Sequence, residues 1–354
     1  MKRLKKAQFR GAFPGMLKLA RFTRRSKFVQ LMQVLLAALV LVFSLAGAGA
    51  NAQTCRATTP SGNYGNVNIL SGAPASTTAN FSVTCTGRRN AKVRLCLDLS
   101  IGTSVNNALV TRALASGAND MVHEIYADPA HSQIWGAWSD NAGFYPYGSG
   151  GIQRDVTISA NGAVVQPFTL YGQIAGSQTT LPPGTYVWQS TSPGLTYYNA
   201  NATSPSCPSG TLFYQGPSGA DTWTATILPN CLLSATDVNF GAVGSLTSGV
   251  AATGMISATC TNSTAFTLSL SNGLGLGATG PTSRQMTLGV NAITYGLYQD
   301  SAHSLPFGST TGVDTASGTG NGLVQSFPVY GFVPSQPTPT VGSYADTIVV
   351  TLTY

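Results

Sequence analysis

This chain has little charge, and its charge is badly distributed for most kinds of chemistry. Charged residues make up 8% of it, Glu124 is its single glutamate, and histidine occurs only at His123, His131 and His303. Ten of the 18 Lys and Arg residues fall within residues 1–28, so beyond residue 52 eight bases face eleven acids, a net charge of −3. The basic overall balance therefore says nothing about nucleic acid, and no basic patch remains to follow a phosphate backbone. No two cysteines lie two to four residues apart, which with three histidines argues against a metal site. No cofactor is expected. No G-x-S-x-G elbow accompanies a histidine, and one glutamate beside scattered aspartates gives little basis for glycoside cleavage. An enzyme is not expected. Amphipathic helical periodicity is also missing beyond the first 52 residues.

The basic stretch is followed by an apolar run from Val34 to Ala50, which closes as Ala50-Asn51-Ala52. That order is a secretory signal, residues 1–52, with cleavage expected after Ala52. Met16 offers a second start, and an uncleaved anchor is the alternative that the small-residue ending argues against. Export means an oxidising compartment, so the six cysteines, all beyond the signal, are expected in disulfides.

What is present is a module carried twice. Cys55 to Cys85 and Cys231 to Cys260 enclose matching segments; "EIYADPAHSQIWG" then matches "GLYQDSAHSLPFG", and "PFTLYGQI" matches "FPVYGFV". A repeat of this length is a whole domain copied, not a short solenoid unit. It selects Cys55–Cys85 and Cys231–Cys260 as equivalent bridges and leaves Cys96 to pair with Cys207. Short β-branched or aromatic runs such as "ANFSVTC", "KVRLCLDL", "TWTATIL", "GMISATC" and "DTIVVTLTY" lie between Gly, Pro, Asn and Ser. They predict two antiparallel β-sandwich domains, at 53–229 and 230–354.

The copies differ by two insertions in the first. One adds 13 residues between His131 and Phe168, within "AWSDNAGFYPYGSGGIQRD"; the other follows Tyr186. Both are aromatic. Trp138, Phe144, Tyr145, Tyr147, Tyr197 and Tyr198 stand among turn formers, outside strand alternation, and are the candidate surface-binding residues. Trp135 and Trp188 continue strand patterns and read as core, as do the repeat equivalents Tyr126 and Tyr298. The shared "AHS" around His131 and His303 reads as a turn.

The Cys…YG/FG…Cys opening, the "LY-x-D" strand and above all the closing "SYADTIVVTLTY" resemble the spore coat protein U domain, once per copy across the whole exported chain. The resemblance implies an immunoglobulin-like sandwich that lacks its last strand, as in subunits of archaic chaperone–usher pili. It implies as partners a periplasmic chaperone, an outer-membrane usher and the donor strand of the next subunit. The two-domain arrangement resembles tip adhesins of such pili. By that resemblance the protein is secreted through the periplasm to the cell surface, sits at the pilus tip, and attaches to hydrophobic or host surfaces in biofilm formation.

Two readings of the residues bear on this. After cleavage only Gln53 and Thr54 precede Cys55, too few to cross a sheet, so the chain is expected to accept a strand but not to give one. The first copy has "TWTATIL" as its own closing strand, whereas the second is expected to lack one. In the last strand Ile348, Val350, Leu352 and Tyr354 share a face, expected to lie against the core beside the donor-strand groove. Two rival functions remain: a carbohydrate- or protein-specific adhesin with Asp140, Asn141 or Asn199 beside the rings, or a secreted spore or cell coat protein.

Overall fold

The computed structural model describes residues 53–99, 105–106, 111–136, 150–190, 193–200, 207, 213–214 and 220–354. The first half contains β1 (Thr54–Ala57), β2 (Ser61–Asn66), β3 (Ala75–Thr86), β4 (Lys92–Leu99), β5 (Val105–Asn106), β6 (Thr111–Ser116) and β7 (Asn119–Tyr126). It continues with β8 (Ile152–Thr157), β9 (Ala163–Ile174), β10 (Gly184–Ser190), β11 (Pro193–Asn199), β12 (Phe213–Tyr214) and β13 (Asp221–Ile227). The second half contains β14 (Cys231–Ala235), β15 (Val250–Cys260), β16 (Ala265–Leu270) and β17 (Arg284–Leu288). It ends with β18 (Asn291–Tyr298), β19 (Ala316–Thr319), β20 (Val324–Val333) and β21 (Val350–Thr353). One short 3-10 turn, Ile69–Ser71, is the helical element among the described residues.

Each half is a two-layer sandwich. In the first, the sheet β1-β3-β9-β7-β6-β10-β13-β2, with β5 beside β6, faces the sheet β12-β11-β4-β8. In the second, β14-β15-β20-β18-β17 faces β19-β16-β21. Strand alternation supplies the two cores. Phe81 and Val83 of β3, Leu170 of β9, and Trp188 and Trp223 meet Val93, Leu95 and Leu97 of β4 in one. Ile256 and Ala258 of β15 and Val329 of β20 meet Phe266, Leu268 and Leu270 of β16 in the other. The bridges are Cys55–Cys85, Cys96–Cys207 and Cys231–Cys260, the pairing the repeat selects.

The equivalence of the halves extends to side chains. Cys55 lies opposite Cys85 across β1 and β3, and Cys231 opposite Cys260 across β14 and β15. The "AHS" turns match too. His131 and His303 both have left-handed backbone, at φ 53° and 57°, and each turn is folded over an aspartate. Asp128 accepts from the Ser132 and Gln133 amides, Asp300 from those of Ser304 and Leu305. The histidines are thus turn residues. Tyr126 and Tyr298 depart from the core role expected of them: each is half-buried and packs edge-on to its turn histidine.

Candidate functional site: an open cleft in the second sandwich

The first sandwich closes on β13. This strand runs antiparallel to β10, from Gly184↔Ile227 to Ser190↔Asp221, and parallel to β2, with Trp223 opposite Gly62. Its sequence alternates, so Asp221, Trp223, Ala225 and Ile227 are buried and the intervening threonines are not fully so. The walls that hold it have counterparts in the second sandwich. Val187 of β10 pairs with Ala115, and its repeat equivalent Ala345 pairs with Thr287. Segment 237–242 follows β14 as β2 follows β1, with Phe240-Gly241 in the place of Tyr64-Gly65.

Between these walls in the second sandwich there is no strand among the described residues. A cleft of about 1090 Å³ lies there instead, bounded by residues 235–244 on one side and 338–346 on the other. Its floor is the core itself: Leu270, Met286, Ile293, Leu297, Val329 and Val333. A buried apolar surface left open to one side is a template for another chain's strand, because edge amides and carbonyls lie beside unfilled side-chain pockets.

Each wall is anchored on its outer side. Thr236 donates its amide to Met255 O, and its hydroxyl accepts from the Met255 amide at 2.9 Å. The opposite wall is clasped by Asp346. Its Oδ1 accepts from the amides of Leu274, Gly275 and Thr347, and its Oδ2 from the Tyr295 hydroxyl at 2.8 Å. Burial and then the Asp346 carboxylate push the Tyr295 hydroxyl well above its ordinary range, so it is a fixed donor. Gly273 at φ +88° is needed here, since a Cβ would stand 2.0 Å from Asp346 Oδ2.

The four residues expected on the groove face divide. Ile348 and Val350 line the cleft, while Leu352 packs on the core away from it. Tyr354 is 57% exposed and is corrected: the ladder with β16 ends one residue before it, at Thr353. The predicted strand "DTIVVTLTY" is likewise shorter than expected, because its cleft-facing edge has no partner to extend the ladder.

The candidate surface loops also divide. Trp138, Phe144, Tyr145 and Tyr147 lie outside the described residues. Tyr197 and Tyr198 are corrected: they are 3% and 8% exposed. Both lie on β11, the counterpart of β21, which pairs with β4 from Pro193↔Leu99 to Asn199↔Val93. That pairing turns Tyr197 into the main core and Tyr198 onto the Cys96–Cys207 bridge. Trp135 and Trp188 are fully buried.

The base of the first insertion is held by an arginine that sequence reasoning did not single out. Arg112 is buried, forms an ion pair with Glu124, and donates to Leu99 O at 3.1 Å and Trp135 O at 2.9 Å. The Leu99 amide donates to Gly136 O, and Gly136 donates to Gly150 O, which brings the two ends of segment 137–149 together. Arg284 repeats the device, donating to Ser271 O at 2.7 Å and Phe307 O at 2.9 Å. The signal was available: "TRALAS" and "SRQMTL" keep the spacing of the two "AHS" turns.

The first sandwich also buries two groups with opposite pH behaviour. Burial pushes the Asp221 carboxyl from 3.8 up to about 8 against the pull of Arg112, and neither of its oxygens has a hydrogen-bond partner among the described residues. Burial, then Arg112, pushes His123 from 6.5 down to about 3. Asp221 has a native value above its unfolded one, so its stabilising contribution is complete below about pH 3.8 and is lost as pH rises toward 8. His123 acts in the opposite sense: stability is lost as pH falls from 6.5 toward 3. The Asp221→Asn variant is therefore expected to gain more at pH 8 than at pH 4.5, by on the order of 4 kcal/mol at about 1.4 kcal/mol per pH unit. Urea unfolding at the two pH values checks this; equal gains contradict it.

The family model described as the Spore Coat Protein U domain matches the chain twice, over residues 42–187 and 219–351. No curated protein sequence matches it. Among solved structures it is similar to the chaperone–tip adhesion subunit complex CsuC–CsuE of archaic chaperone–usher Csu pili of Acinetobacter baumannii. That match has 16% identity, 85% coverage of this chain and 100% of that one, and a TM-score of 0.48. It is also similar to the CupB6 tip adhesin of Pseudomonas aeruginosa, with 11% identity, coverage of 85% and 94%, and a TM-score of 0.36. A chaperone–tip adhesin complex of CFA/I fimbriae matches at 13% identity, with coverage of 84% and 96% and a TM-score of 0.28.

Proposed function

From the premise that this chain belongs to the Spore Coat Protein U domain family, in both halves, we propose that it is a two-domain tip adhesin of a chaperone–usher pilus. Its work is binding, not catalysis. The first domain, residues 53–229, is complete and binds a surface; the second, residues 230–354, takes a strand from the next subunit and so joins the shaft. A periplasmic chaperone covers the cleft before assembly, and an outer-membrane usher is where the exchange takes place.

One observation carries this reading. The slot that β13 fills in the first sandwich is an open cleft in the second, with equivalent walls. A domain with its core open along one side cannot remain so in water, since each exposed Å² of apolar surface costs about 25 cal/mol. Backbone pairing by an incoming strand, with alternate side chains filling the pockets, closes it.

The surface-binding element is the first insertion, through Trp138, Phe144, Tyr145 and Tyr147. Its supports are their aromatic character among glycines, and a loop base fixed by Arg112 and by the Gly136–Gly150 hydrogen bond. The four aromatic residues bring enough apolar area for a patch of a few hundred Å², the size that marks an interaction site. Replacing all four by serine is expected to cut attachment of the exported chain to polystyrene beads at least tenfold with its unfolding midpoint unchanged. Attachment that stays within twofold removes the loop from the account.

A further inference from the structure

The first sandwich is a filled version of the second, so it shows what an occupant must be and where this cleft differs. In the first, the Trp223 ring fills the space over two glycines. A Cβ on Gly62 would stand 2.1 Å from that ring, and one on Gly172 would stand 2.3 Å from it. Tyr64 and His123 pack around the same ring.

Three of these four neighbours are changed in the second sandwich. The counterpart of Gly62 is Val238, that of Tyr64 is Phe240 and that of His123 is Tyr295, while Gly172 is kept as Gly331. The space above Gly331 is already taken: a Cβ there would meet Val238 Cγ1 at 2.6 Å and Phe240 Cζ at 2.8 Å. Val238 cannot coexist with a tryptophan in the position of Trp223, because its own Cβ lies where the ring would be. The neighbouring inward position changes as well. Asp221 lies opposite Ser190 in the first sandwich, and the equivalent of Ser190 is the apolar Ile348.

We infer that the strand received by this cleft carries a small residue, glycine or alanine, where β13 carries Trp223, and an apolar residue where β13 carries Asp221. The consequence is self-exclusion. The closing strand of this chain does not fit the cleft of a second copy, so copies do not link head to tail through it. Val238 and Phe240 set this selectivity. The inference rests on the strand-accepting reading of the cleft and adds the identity of the side chains it admits.

The test uses the whole exported chain, residues 53–354, and fluorescent peptides spanning residues 219–229 with Asp221→Val throughout. One keeps tryptophan at the position of Trp223 and the other has alanine there. The alanine peptide is expected to bind at least tenfold tighter by fluorescence polarisation, and Val238→Gly in the chain, which restores the glycine of the first sandwich, is expected to abolish that preference. If the tryptophan peptide binds the unmodified chain as tightly as the alanine peptide, the selectivity is wrong while strand acceptance stands. If neither peptide binds at millimolar concentration, strand acceptance fails and the inference fails with it.

Discussion

Replacing residues 221–227 by a glycine–serine run of the same length is expected to abolish cooperative unfolding of the first sandwich. β13 is paired on both sides, with β10 and with β2, and it puts Trp223 and Ile227 into the core at 0% and 1% exposure. Removing a buried tryptophan ring costs about 3–5 kcal/mol and a buried isoleucine about 2–5 kcal/mol. A glycine–serine run keeps the backbone amides of both ladders but orders them at a higher entropic cost. The sum reaches the whole stability of a typical domain, about 5–15 kcal/mol. Calorimetry of the exported chain should then show no transition attributable to the first sandwich, and near-ultraviolet dichroism should lose the signal of its buried tryptophans. A cooperative transition retained within about 2 kcal/mol of the original contradicts the account, since β13 would then be dispensable.

The second large effect is expected at Asp346. Its carboxylate accepts from three amides and from the Tyr295 hydroxyl, and so ties the wall at 344–349 to loop 271–275 and to β18. Hydrogen bonds to a charged group contribute about 1.5–3 kcal/mol each, and the freed amides recover only part of that from water. Asp346→Ala should destabilise the second sandwich by on the order of 3 kcal/mol or more, and Asp346→Asn, which keeps one acceptor oxygen, by less. Denaturant unfolding of the exported chain reads both. An alanine variant within about 0.5 kcal/mol of the parent shows that the wall stands without the clasp.

The sequence revealed much of this architecture because the repeat acts as an internal alignment. It selects the disulfides, and alternation marks strands such as "TWTATIL", whose buried positions are every second residue. What it did not reveal depends on pairing. Tyr197 and Tyr198 look like loop aromatics because a neighbouring Pro-Gly and Asn surround them; only the register of β11 on β4 turns one ring inward and the other onto a disulfide. Tyr354 continues a perfect alternation, yet its ladder ends one residue earlier.

Arg112 and Arg284 were overlooked for a different reason. A lone arginine in a strand reads as exposed, whereas these two satisfy carbonyls where strands turn into loops. The difference between Gly62 and Val238 was written in the aligned copies all along. Its meaning appears only once Trp223 is seen standing over the glycine.

The central claim is that the cleft between residues 236–242 and 342–350 is the seat of another polypeptide's strand. Tyr344 lines it, so a photo-reactive benzoyl-phenylalanine at that position places a probe in the cleft with little change of shape. Irradiation of assembled filaments, read by mass spectrometry, should give one cross-linked product joining residue 344 to an extended segment of a different chain. The same probe at Val313, which is 78% exposed elsewhere on the second sandwich, should not give that product. A probe at residue 344 that links only to its own chain, or gives the same products as the probe at residue 313, contradicts the claim.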